Sequence, residues 1–316
     1  MKAMVYHDYG SPDNLELCEI EMPETKDDEV LVKVHAASVN WHDWHFLTGT
    51  PFLARIMAGL LKPKYKVLGI DLAGQVEAVG ASVTQFQPGD ELFGSRSHGC
   101  FAEYVCVSEA DAAMKPANLT FEEGAAVPGA AVTALHALRD QGQIQSGLKV
   151  LINGASGGVG TYAVQIAKSI GVEVTGVCGT MNLDMVRAIG ADQVIDYTQE
   201  DFTQNGQRYD LIFDVVANRS FLDCKGALKP QGIYITTEFS PVLALCGLWI
   251  SLTGSQKMVA LPPKPPTKTD QVFLKKLLES AEVSPIIDRS YSLSELPDAL
   301  RYLEKGHARG KVIITM

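Results

Sequence analysis

The stretch Val150-Leu151-Ile152-Asn153-Gly154-Ala155-Ser156-Gly157-Gly158-Val159-Gly160 decides the fold of this 316-residue chain. Three aliphatic residues in a row read as a short buried strand, the glycine cluster as a turn, and Val159 to Ile170 as a helix. Aligned to the dinucleotide fingerprint, Ala155, Gly157 and Gly160 take its three glycine positions. A glycine in such a turn lets backbone approach a pyrophosphate, the last one lets helix pack on strand, and the helix N-terminus favours the anion.

Outward from this turn, strands and helices alternate. Val172 to Cys178 reads as a strand and Leu183 to Ile189 as a helix, with Asn182 as N-cap and Gly190 as stop. Gln193 to Ile195, Asp210 to Val216 and Gly232 to Thr237 supply further strands. This alternation predicts an α/β fold with a parallel, doubly wound Rossmann sheet. Upstream, Val30 to Val34, Ala73 to Val79 and Phe101 to Val105 read as strands, punctuated by Pro88-Gly89-Asp90 and Gly99. Pro262-Pro263-Lys264-Pro265-Pro266 is a stiff connector. After it, Val272 to Leu278 reads as a helix and Lys311 to Thr315 as a last strand. The pattern divides the chain into a β-rich stretch over residues 1–120, a Rossmann domain over 121–261 and a last stretch over 262–316.

Composition narrows the function classes. The chain is 46% hydrophobic and 20% charged, and its 27 Lys and Arg against 37 Asp and Glu leave a net charge of −10. An acidic chain without a Lys/Arg block speaks against nucleic acid and against a membrane partner. Six cysteines without CxxC spacing argue against a disulfide framework. The start, Met1 to Tyr6, alternates like a strand rather than forming an apolar leader, so the expected location is cytoplasmic. The apolar run from Pro241 to Leu252 is shorter than the roughly 20 residues of a bilayer span, which leaves a buried helix, an interface or a pocket wall.

The end of the second strand, Val177-Cys178-Gly179-Thr180-Met181-Asn182, lacks the Asp or Glu that holds a ribose 2′-hydroxyl. That favours NADP(H) over NAD(H), with Thr180 and backbone amides accepting a 2′-phosphate. The other reading of Gly179-Thr180 is a plain loop.

Several stretches together resemble zinc-free medium-chain dehydrogenases/reductases of the quinone oxidoreductase (zeta-crystallin-like) family. They are Ala37-Ser38-Val39-Asn40-Trp41-His42-Asp43-Trp44, Leu68-Gly69-Ile70-Asp71-Leu72-Ala73-Gly74, Gly99 to Tyr104, the glycine turn, and Gly306-His307-Ala308-Arg309-Gly310-Lys311. The resemblance implies a GroES-like catalytic domain formed by both ends of the chain, residues 1–120 and 262–316, with the Rossmann domain, 121–261, inserted. In zinc-dependent relatives a Cys and a His-Glu pair bind the metal, and here those positions carry Asn40 and Ile70-Asp71. An amide and an aliphatic side chain do not ligate zinc, so no metal is expected. His42 and His45, three apart without a thiolate, read as packing or surface residues.

The resemblance also implies the site. Asn40 would donate toward a substrate carbonyl or the nicotinamide ribose, with Asp43 orienting neighbours or capping a turn. Thr133 would lie beside the nicotinamide or merely inside a helix, and Trp41 and Trp44 would wall a planar substrate or pack in the core. Ser156, Gly158 and Val159 complete the pyrophosphate turn. Gly179, Thr180, Tyr197, Val215 and Val216 surround the adenosine end, and Arg309 and Lys311 return toward the cofactor. Met181 stands where many relatives carry an arginine, which weakens a 2′-phosphate clamp. The implied activity is hydride transfer from NADPH to a quinone or α,β-unsaturated carbonyl in a homodimer. A nucleotide-binding sensor without turnover and an alcohol/aldehyde oxidoreductase are the alternatives.

Overall fold

The computed structural model describes residues 1–316. The chain forms two compact units, Met1–Gly129 with Pro266–Lys275 and Pro285–Met316, and Ala130–Pro265 with Lys276–Ser284. Their boundaries, 129/130 and 265/266, fall nine and four residues beyond the 120/121 and 261/262 expected from the sequence. At the first, a helix at Phe121–Ala126 packs on strands of the first unit. At the second, Gln165 draws residues 276–284 into the second unit: its Oε1 accepts from Ser284 N at 2.8 Å and its Nε2 donates to Ser284 O at 3.0 Å.

The first unit opens with a two-stranded antiparallel ribbon, β1 (Lys2–Val5) and β2 (Glu16–Glu19). Next come β3 (Glu29–Val39), α1 (Trp41–Thr48), α2 (Phe52–Ala58), β4 (Asp71–Val79), β5 (Glu91–Ser95), β6 (Tyr104–Ser108), β7 (Ala112–Met114) and α3 (Phe121–Ala126). Val30, Val32 and Val34 alternate along β3 into a core shared with Val105 and Val107 of β6. The strand expected from Phe101 begins only at Tyr104, because Phe101 already bonds to Leu68 O and Met4 N through its backbone.

The second unit begins within α4 (Pro128–Leu135). It contains β8 (Lys149–Asn153), α5 (Gly158–Ile170), β9 (Glu173–Cys178), α6 (Leu183–Ala188), β10 (Gln193–Asp196) and β11 (Tyr209–Asp214). Then come α7 (Phe221–Cys224), β12 (Leu228–Thr236), α8 (Pro241–Thr253) and β13 (Lys257–Ala260). All six strands are parallel, in the order β10-β9-β8-β11-β12-β13. That order reverses direction between β8 and β11, and ligands of doubly wound sheets bind at such a switch point.

The chain returns through α9 (Lys268–Glu279), β14 (Ile287–Ser292), α10 (Leu296–Glu304) and β15 (Lys311–Thr315). β15 pairs antiparallel with β3, Val312 opposite Val39, so Lys311 arrives beside Asn40. The seven strands of this sheet combine both ends of the chain, as the GroES-like expectation requires.

The run 241–252 does form a helix, but most of it is not buried. In α8 only Gly247 is buried, while Leu245 is 68% and Trp249 70% exposed. A Cβ at Gly247 would meet Met258 O at 2.7 Å, so the helix touches β13 along one narrow, close-packed line. Hydrophobicity fixed the element, and the packing left its outer face open.

Candidate active site: a glycine turn and a buried lysine network

In the second unit the chain leaves β8 and turns on Gly154, whose φ of +86° favours glycine. The amides of Gly154 and Ala155 both donate to Val177 O, at 3.1 and 3.0 Å, which hangs the turn on β9. Gly160 is required by packing, since its Cβ would lie 2.0 Å from Gly154 O. Gly157 differs: a Cβ there would meet only Gly154 O, at 3.5 Å. Nothing inside the protein demands a glycine at 157, and the space in front of it is open. Gly157 is the N-cap of the 13-residue α5 and makes no side-chain cap, which leaves the amides of Gly158, Val159 and Gly160 for an anion.

The flanks of this turn come from neighbouring strands. Val215 N donates to Asn153 O at 3.0 Å, and Val216, half exposed, lies against Gly154 across the switch point. Asn182 Nδ2 donates to Ser156 Oγ at 3.1 Å, while its Oδ1 is buried without a partner. An unpaired buried acceptor beside the turn fits a ligand donor such as a ribose hydroxyl. Tyr197, 60% exposed, lies alongside Gly179.

Sequence reasoning missed two residues here: Asn182, read only as an N-cap although its side chain makes no cap bond, and Asp196. It sought an acid at the end of β9 and found none, but Asp196 comes from the end of β10, where the parallel register sets it opposite Cys178. Its carboxylate accepts from Thr180 Oγ1 at 2.6 Å and from Thr198 N at 2.9 Å, and these bonds hold it below the usual carboxylate range. The Thr180 proton expected to meet a 2′-phosphate is thus committed to a carboxylate. The signal available in the sequence was the Ile195-Asp196-Tyr197 end of the third strand.

A second group of expected residues meets in the first unit. Lys311 Nζ donates to Asn40 Oδ1 at 2.6 Å and lies 3.6 Å from Asp71 Oδ2. Asn40 Nδ2 donates to Asp71 Oδ2 at 3.0 Å and to Ser38 O at 3.1 Å. Asp71 is fully buried and also accepts from Ser38 Oγ at 3.0 Å and Gly129 N at 2.9 Å. Burial pulls the Lys311 ammonium below its ordinary value, opposed by the charges of Asp71 and Asp43.

This geometry corrects two expectations. Both protons of the Asn40 amide are committed within the network, so it has none spare for a substrate carbonyl. Lys311, expected to return toward the cofactor, is nearly inaccessible and its ammonium is engaged by Asn40 and Asp71. Asp43 takes the structural half of its expected role: its carboxylate caps α1 by accepting from Asn40 N at 2.8 Å and ties in Gly69 N at 3.0 Å.

Burial pushes Asp43 up to about 7, aided by the Asp71 charge and opposed by the amides of Asn40 and Gly69. The folded carboxyl keeps its proton up to about 7, whereas the unfolded one releases it near 3.8. The folded state therefore binds more protons in that window, and this stabilisation is lost as pH rises through it. The unfolding free energy of wild type minus that of Asp43→Asn should fall with pH between those values, by as much as about 1.4 kcal/mol per unit. Parallel urea titrations that show no such slope would remove the buried protonated acid.

Comparison with known proteins agrees with both units. Residues 26–117 match the family profile described as an alcohol dehydrogenase GroES-like domain, and 189–314 the one described as a zinc-binding dehydrogenase. A spinach protein named as a chloroplastic quinone-oxidoreductase homolog is 34% identical over 99% of this chain and 98% of the relative. The chain belongs to the medium-chain dehydrogenase/reductase family, on its quinone oxidoreductase branch. An Arabidopsis thaliana relative, named NADPH-dependent alkenal/one oxidoreductase, chloroplastic, is 35% identical over 99% of this chain and 79% of that protein. The quinone oxidoreductase structure from Coxiella burnetii superposes with a TM-score of 0.90 at 31% identity, covering 100% of this chain and 99% of the other.

For this medium-chain dehydrogenase/reductase the profile's zinc does not fit the residues. The positions discussed above hold an amide, an aliphatic side chain and one carboxylate, and the Lys311 ammonium lies against two of them. His42 stacks on Phe46 at 4.1 Å, and burial pushes it down to about 4, so it packs as a neutral ring. Trp44 packs on the core and Trp41 is half exposed. Thr133 sits half-buried in α4, and Arg309 is exposed on the loop before β15. The expected cytoplasmic location is overturned, since the relatives named above are chloroplastic. The first residues of the sequence do not by themselves set a compartment, because different compartments are addressed by different signals.

Proposed function

We propose that this protein is an NAD(P)H-dependent, zinc-independent oxidoreductase that reduces quinones or α,β-unsaturated carbonyls. The observation that carries the reading is the sterically open Gly157 at the switch point of a parallel sheet, in a chain whose relatives bear these activities in their names. A bound nicotinamide supplies a hydride to the electron-poor carbon of the acceptor. The protein's part is positional. The amides that open α5 hold the diphosphate, Asn182 Oδ1 accepts from the nucleotide, and Val216 and Tyr197 border it. The Lys311–Asn40–Asp71 network holds the start of α1 rigid, and solvent supplies the proton.

NADPH is the favoured donor, with discrimination limited by Asp196 and by Met181 in place of a cation. Titration of both nucleotides should give dissociation constants within about tenfold of each other, since one missing charge-assisted contact is worth about that much. Turnover of NADPH with 1,2-naphthoquinone, 9,10-phenanthrenequinone and a panel of enals tests the activity. Affinity without oxidation would indicate a nucleotide-binding sensor.

A homodimer built on the second unit is part of the same reading. β13 ends its sheet with an unpaired edge, and the uncovered apolar face of α8 lies next to it. Light scattering after size exclusion should give twice the chain mass, and a monomer at micromolar concentration would refute it.

A further inference from the structure

α2 is packed with its small residues inward. Its buried positions are Ala54 and Ala58, one turn apart, while Phe52, Ile56 and Met57 are each more than half exposed. The apolar surface continues past Gly59, where Leu60 is 57% and Leu61 87% exposed. A seven-residue helix that hides two alanines and presents Phe, Ile and Met is inverted relative to ordinary core packing.

The charges around this surface are of one sign. From residue 44 to residue 70 the chain has no Asp or Glu, yet it carries Arg55, Lys62, Lys64 and Lys66. That stretch lies in a chain whose net charge is −10, so the positive charge is segregated rather than average. Lys62, Lys64 and Lys66 are all exposed. Arg55 is held in place by Tyr9, its guanidinium lying 4.8 Å from the ring centroid, and by donating from Nε to Gly49 O at 3.2 Å. Asp8 is the acid that reaches this region, 3.2 Å from Lys62, with both side chains exposed.

We propose that residues 52–66 seat the protein on the surface of an anionic lipid bilayer. The apolar side chains enter the boundary between headgroups and acyl chains, and the lysines meet lipid phosphates. Peripheral membrane binding asks for this combination of projecting apolar residues and a cationic flank. A protein partner fits less well, because a stable interface engages about 20–30 residues a side and five apolar side chains fall far short. α8 differs, since its exposed face has no charged residue from Pro241 to Thr253 and adjoins an open sheet edge. The expectation of no lipid partner came from net charge, which averages away this local segregation. The proposal is independent of the reductase reading.

The test is flotation of the full-length protein with phosphatidylcholine vesicles, with and without phosphatidylserine, at low and high salt. The protein should float with the anionic vesicles at low salt and be released by high salt. Charge reversal in K62E/K64E/K66E should lower the partition coefficient at least about tenfold, because each lysine at an anionic surface contributes about a fivefold factor. I56S/L61S should lower it by a similar factor with an unchanged thermal midpoint, since both side chains are exposed. Equal flotation with neutral and anionic vesicles, or wild-type binding by either variant, would overturn the proposal. So would absent flotation together with a self-association that I56S/L61S abolishes, which would assign the surface to a second copy.

Discussion

Gly157→Asp is expected to raise the dissociation constant for NADPH at least about a hundredfold while leaving the thermal midpoint within a few degrees of wild type. The second half follows from the backbone. Residue 157 has φ −84° and ψ 178°, which any residue adopts, and its Cβ would meet nothing closer than Gly154 O at 3.5 Å. Position 157 is an N-cap, where aspartate is among the preferred residues. The first half follows from what an N-cap aspartate does. Its carboxylate accepts from the amides at the start of α5, the same donors a diphosphate requires, and adds a negative charge where the anion would lie. Losing two charge-assisted hydrogen bonds at about 1.5–3 kcal/mol each accounts for the hundredfold. Calorimetric titration decides it, and an unchanged affinity would mean that the dinucleotide lies elsewhere. Gly160→Ala provides the contrast, because a Cβ 2.0 Å from Gly154 O must displace the turn and lower stability first.

Lys311→Met should be strongly destabilising. It removes the ammonium from a fully buried Asp71 and leaves Asn40 Oδ1 without its donor. Breaking a buried pair by deleting one partner costs about 3–5 kcal/mol, because the remaining charge is stranded in a poor solvent. The melting temperature should fall by roughly 5–15 °C. The double variant Lys311→Met with Asp71→Asn removes the stranded charge and should recover about half of the loss. A single variant that melts with wild type would show that the lysine contributes no net stability.

The glycine turn was legible in the sequence because its residue types are set locally. Close approach at Gly160 and the left-handed backbone at Gly154 admit few alternatives, and an aliphatic strand before them with a helix after them completes the pattern. The parallel, doubly wound sheet of the second unit was legible for a similar reason, since alternating short strands and helices have few ways to wind. Asp196 was not legible as a neighbour of Thr180, because a strand register brings it there. The committed amide of Asn40 was hidden too, as it depends on a lysine 271 residues away.

By itself, the sequence determined the α/β class, the strand–glycine-turn–helix unit, the family, and the lack of a zinc-ligand set at Asn40 and Asp71. Each follows from side-chain chemistry or short-range backbone geometry. Only the tertiary structure decided which polar groups are already spent, that α8 faces outward, and that α2 hides its alanines and shows its large side chains. Those outcomes depend on which distant segments pack together, and a linear pattern of residues carries no distance between them.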